Sequence, residues 1–148
     1  METKKTAGLE EKYLLGIPEI DAQHRELADL VAKFKASIER KDQRHLIHPV
    51  LRRLYHLLLQ HFTYEESLMD MIGYAELAQH RKTHQGILRL LNDYLEHPVA
   101  PSDHEYFSNL IGDKVLAHLM EHDVQMIDAI KEKLPALPRP PEAAIAGD

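Results

Sequence analysis

Apolar positions recur alternately three and four residues apart along most of this chain, the spacing that lines one face of a helix. The first run is Ile17, Ile20, His24, Leu27, Val31, Phe34 and Ile38. The second is Leu51, Leu54, Leu58, His61, Glu65, Leu68 and Ile72, ending at Gly73, a residue suited to the position just past a helix. Pro49 is expected in the first turn of that helix or at a bend in it. The third run is Leu77, His80, His84, Ile87, Leu91 and Tyr94. It should close near Leu95, because the residue before a proline, here His97, is pushed out of the helical region. Beyond Pro101, Ser102 to Glu105 has the spacing of a capping box. That predicts a fourth helix from Ser102 to about Leu134, with Leu116, Met120, Ile127 and Ile130 among its apolar positions.

Four amphipathic helices joined by short polar connections can bury their stripes only against one another. The expected fold is all-α, an up-down-up-down antiparallel four-helix bundle. Residues 1–134 would form the bundle with a short N-terminal arm. Residues 135–148, rich in Pro and Ala, are expected to be a disordered tail.

Composition removes several function classes. With no cysteine among 148 residues, there can be no disulfide, thiolate metal site or thiol nucleophile. The formal charge of −6 would repel a phosphate backbone, so nucleic acid is not an expected partner. No apolar run is long enough to cross a bilayer, and the first residues carry no apolar segment of signal-peptide length. A cytoplasmic protein without membrane attachment is therefore expected, and a monomer is the expected state.

Eleven histidines are many for this length, and five polar residues occupy stripe positions where a bundle wants leucine. They are His24 in the first helix, His61 and Glu65 in the second, and His80 and His84 in the third. A buried carboxylate is costly unless paired or bound to a cation, and a buried imidazole needs partners for both nitrogens. The pairs His61/Glu65 and His80/His84 are each four apart, so each can converge on one ion. The fourth helix offers His118, His122 and Asp123. His118 and His122 are the tidier pair by spacing, whereas Asp123 would sit about 140° round an α-helix from His118; helical geometry does not choose between them. Imidazole and carboxylate without sulfur suit iron or manganese, and also zinc or copper. Seven ligands exceed what one six-coordinate ion holds, which favours two cations about 3.5 to 4 Å apart bridged by carboxylates.

These residues resemble those of the hemerythrins, specifically the bacterial hemerythrin-like proteins. The similarity rests on GIPEIDAQHREL from Gly16, HFTYEESLMDMIGYAELAQHRKTH from His61 and HLMEHD from His118. What the resemblance implies is reversible dioxygen binding, for storage, delivery or sensing, at a non-haem di-iron centre with a bridging oxo or hydroxo group. It further implies one iron on His80, His84 and His118, the other on His24 and His61, and bridging roles for Glu65 and Asp123. It leaves His122 without a ligand role. The alternative is a di-iron enzyme handling peroxide or nitric oxide, or an iron-repair or storage protein; an oxygen-binding protein rather than an enzyme is the expectation.

Two departures from the family stand out. The chain has no tryptophan, and Lys114 occupies a position where many bacterial members carry one. Pointing inward, Lys114 would favour turnover over storage; it can equally snorkel outward. His45, His48, His56, His97 and His104 are expected at the surface, Glu66 in solvent, and Phe62, Tyr64 and Tyr74 in packing roles. Asp21 could serve either an imidazole or the N-terminus of the first helix.

Overall fold

Pro18 opens the first helix because a missing N–H costs nothing at that position. In the computed structural model, which describes residues 15–97 and 99–133 (for His122 the backbone alone), α1 runs Pro18–Glu39, α2 Arg44–Met71 and α3 Leu77–Glu96. A 3₁₀ turn over Pro101–Asp103 leads into α4, His104–Ala117. A five-residue π turn, His118–His122, then joins α4 to α5, Asp123–Lys133. No strand occurs among the described residues. The predicted tail and most of the N-terminal arm lie outside them.

α1 packs on α2 and α4, and α3 packs on α2 and α4, which closes the four-membered ring of an antiparallel bundle. Every apolar residue predicted on the α1 face is buried, as are Leu51, Leu54, Leu58 and Leu68 of α2 and Ile87, Leu91 and Tyr94 of α3. The core has two parts. The larger holds Leu27, Phe34, Leu54, Leu58, Leu91 and Val115, and the smaller Ile20, Tyr64, Leu68, Met126 and Ile130. The buried histidines, with Glu65 and Asp123, fall between the two.

Turn chemistry sets the helix ends. Gly73, at φ 65°, follows α2, with its amide on Asp70 O at 3.1 Å and the Tyr74 amide on Met69 O at 2.9 Å. These are the paired bonds of a Schellman motif. α1 ends the same way, with Lys41 in the left-handed position at φ 58° and the Asp42 amide on Ser37 O at 3.0 Å. At the start of α1, Asp21 accepts the amides of Leu15 (2.7 Å) and Gly16 (3.1 Å). Asp21 thus serves the entry to α1. Lys131 of α5 donates to Leu15 O at 2.7 Å and ties this entry to the end of the last helix.

Three expectations are corrected. α2 starts at Arg44, so Pro49 lies one turn inside it rather than in its first turn, and the carbonyl of His45 goes without the i+4 donor that proline lacks. Ser102 is not an N-cap. Pro101 opens a 3₁₀ turn that draws Ser102 into helical backbone, and Asp103 holds the cap position without a side-chain bond. On the last helix, Met120 is exposed and Leu116 half-buried, while Ile111, Val115, Leu119, Met126, Ile127 and Ile130 form the core. The π turn inserts one residue into the helical count, which moves the buried face on by one position.

Candidate metal centre

Each pair of helices contributes to the buried polar layer. His24 comes from α1, His61 and Glu65 from α2, His80 and His84 from α3, His118 from the π turn and Asp123 from the start of α5. All seven are buried. His118 and Asp123 come together through the π turn, where the Asp123 amide donates to His118 O in an i→i+5 bond. That bond stacks residues five apart, which an α-helix would separate by about 140°.

The two carboxylates lie between the imidazoles with one oxygen turned to each side. Asp123 Oδ2 is 2.8 Å from His24 Nε2 and 3.0 Å from His61 Nε2, while its Oδ1 is 3.0 Å from His118 Nε2. Glu65 Oε2 is 2.9 Å from His61 Nε2, and its Oε1 is 3.3 Å from His84 Nε2 and 3.6 Å from His118 Nε2. Two groups able to hold a cation result, His24/His61/Glu65/Asp123 and Glu65/His84/His118. His80 belongs to neither group. Its ring stands beside the second, with centroids 6.1 Å from His84 and 6.5 Å from His118.

Outer hydrogen bonds leave Nε2 facing the centre. His61 Nδ1 is 2.6 Å from Gln23 Oε1, His84 Nδ1 is 2.6 Å from Glu66 Oε2, and His80 Nδ1 is 3.3 Å from Glu76 O. An Nδ1–H donated outward leaves the Nε2 lone pair for a cation. Phe62 stacks on His84 at 3.9 Å and 4°, and Tyr74 meets His80 edge-on at 5.7 Å, so both rings are also held by packing.

Without a cation the charges strain against burial. Burial pushes the His61 imidazole down, but the charge of Glu65 and the bonds to Asp123 and Glu65 outweigh it and raise it to about 10. His118 goes up to about 9 in the same way, with Asp123 the main opposing charge. Burial and the Asp123 charge push Glu65 up, yet His61 and His118 bring it to about 2. Asp123 lies well below the ordinary carboxylate range, since His118, His24 and His61 outweigh its burial. Even so, both oxygens of Glu65 and Oδ1 of Asp123 lack a well-directed donor. Oxygens left over in this way, facing Nε2 atoms with no thiolate nearby, fit hard or borderline divalent cations.

Sequence reasoning missed Gln23 and placed Glu66 in solvent, whereas it is half-buried against His84. Each neighbours a predicted ligand and is turned about 100° from it, toward the adjacent helix; that turn was the available signal. Lys114 is exposed. It lines a groove of about 480 Å³ with Lys82, Thr83 and Gly86, and His118 at its wall. His45, His56 and His97 are exposed and His48 and His104 half-buried, away from the centre.

A four-helix bundle with buried imidazoles and carboxylates facing one another across its middle is a metal-binding protein of the helical-bundle class. The hemerythrin HHE cation-binding domain matches residues 15–134. The chain belongs to that family. It is 26% identical over 123 residues to a bacteriohemerythrin of Pseudomonas aeruginosa, covering 82% of this chain and 80% of the relative. A bacteriohemerythrin of Stenotrophomonas maltophilia is 23% identical over 121 residues, 81% of this chain and 78% of its own. One of Campylobacter jejuni is 25% identical over 116 residues, 77% and 87% of the two chains. No solved structure gives a significant match. No described helix is long and apolar enough to cross a membrane.

Proposed function

We propose that this chain holds two non-haem iron ions and binds dioxygen reversibly as a monomer in the cytoplasm. The observation that carries the reading is the placement of Glu65 and Asp123, each with one oxygen toward His61 and the other toward His118. Carboxylates so placed can bridge two cations and offset their repulsion. In this reading His80, His84 and His118 hold one ion, His24 and His61 the other, and Glu65 and Asp123 span both. A pair of ferrous ions supplies the two electrons that dioxygen draws on when it binds reversibly.

The residues hold, orient and shield. Outward Nδ1–H bonds from His61 to Gln23, from His84 to Glu66 and from His80 to the Glu76 carbonyl turn each Nε2 toward the centre. In this reading the side with two histidines would have one protein ligand fewer, and a small molecule would bind there. Apolar side chains on both sides of the polar layer, such as Leu58, Phe62, Leu68 and Leu119, exclude water. Lys114 is exposed and lines the groove that has His118 at its wall, outside the buried layer of proposed ligands.

Metal analysis of anaerobically purified protein, with its optical spectrum on admitting air, tests the reading. Two irons per chain and reversible uptake of one dioxygen per pair are expected. Rapid oxidation without a reversible adduct, or steady consumption of peroxide with a reductant, would replace this reading with the enzymatic one.

A further inference from the structure

Glu66 differs from the other groups that orient the imidazoles because it carries a full charge. Its Oε2 accepts from His84 Nδ1 at 2.6 Å, and Arg81 Nε donates to its Oε1 at 3.3 Å. The matching partner of His61 is the neutral amide of Gln23, and that of His80 is a backbone carbonyl. A carboxylate draws the Nδ1 proton of an imidazole toward itself and makes Nε2 a stronger donor to a metal. Arg81 is half-exposed, with its charge largely in water, so it pins the Glu66 carboxylate more than it neutralises it. Phe62, stacked parallel on His84, keeps the ring from turning off this bond. Glu65 turns one oxygen to each side, whereas Asp123 faces two imidazoles on the side of His24 and His61 and only His118 on the other, so the charge behind His84 is what distinguishes the second position.

We propose that Glu66 is a positioning residue that makes the two cation positions unequal, so that the one faced by His84 and His118 fills first and holds its ion more tightly than the one faced by His24 and His61. The inference rests on the two-cation reading above. It assigns that reading an order of loading and a side chain that sets it.

The test is titration of the metal-free full-length chain with cobalt(II), whose paramagnetism shifts the NMR resonances of coordinating rings. At one equivalent, the ring resonances of His84 and His118 are expected to move ahead of those of His24 and His61. Glu66→Gln keeps the shape and an acceptor but removes the charge. It should weaken the first cobalt by roughly 10- to 100-fold and erase the order of loading. Gln23→Glu, which places the charge behind His61, should tilt loading toward His24 and His61. Simultaneous movement of all four rings in the unaltered chain overturns the inference, as does a Glu66→Gln chain that loads in the same order with the same affinity. Saturation of the unaltered chain at one cobalt overturns the two-cation reading itself, and this inference with it.

Discussion

Asp123 Oδ1 stands 3.0 Å from His118 Nε2 although five residues separate the two along one helix. The π turn between them makes this possible, because it brings Asp123 onto the face that carries His118. Asp123→Ala should therefore reduce the metal content from two cations per chain to one or none, whereas His122→Ala should keep both. Metal-to-protein ratios of the two variants after identical reconstitution check this. The opposite pattern would remove Asp123 from the proposed ligand set.

Stability of the metal-free protein should depend on pH in a way that metal reverses. Glu65, at about 2 against an ordinary 4.5, stabilises the fold fully above pH 4.5 and loses that contribution as pH falls toward 2. His61 and His118, at about 10 and about 9 against 6.5, stabilise fully below pH 6.5 and lose it as pH rises through those values. The metal-free chain should be most stable between these limits and weaken steadily above pH 6.5. Cations compete with protons for the same nitrogens, so the gain in melting temperature on adding metal should grow with pH. Thermal melts with and without metal from pH 4 to 9 measure both trends, and a metal-free protein that gains stability above pH 7 contradicts the charge balance given for the centre.

Lys41 is the one non-glycine residue at positive φ among the described residues. A side chain in that region costs roughly 1–2 kcal/mol, part of which glycine gives back through its freedom in the unfolded chain. Lys41→Gly should raise stability by about 0.5–1 kcal/mol, read from urea unfolding with an unchanged slope. A loss of stability would mean that the Lys41 side chain makes a contact worth more than the strain.

Asp21 accepts two backbone amides at the entry to α1 and touches none of the proposed ligands. Asp21→Ala should cost about 1–2 kcal/mol, in the range of a lost helix cap, and leave metal content unchanged. Loss of metal in a chain that still melts cooperatively would tie the α1 entry to the centre.

Much of the bundle is legible in the spacing of its apolar residues because three of the helices are regular where they pack. Every residue of the α1 stripe from Ile17 to Ile38 is buried, since this spacing drifts by only about 20° per heptad on an unbroken α-helix. The fourth helix was misread at Leu116 and Met120 because a π turn leaves no residue type as its mark. The polar layer was visible as histidines and a glutamate in leucine positions. Its outer partners were harder to see. Gln23 and Glu66 act across helix interfaces, and nothing in their own helices separates them from ordinary surface residues.

The π turn has a further consequence for the tolerance of this helix to changes in length. It adds one residue to a single turn, so removing exposed Glu121 would leave His118 and Asp123 four apart and everything from Asp123 to Lys133 in its present angular phase. Removing one residue anywhere in α4 or α5 would instead rotate the part beyond it by about 100° and turn its buried side chains out of the core. Shortening by one residue is thus tolerable in the turn that joins two of the proposed ligands and ruinous on either side of it.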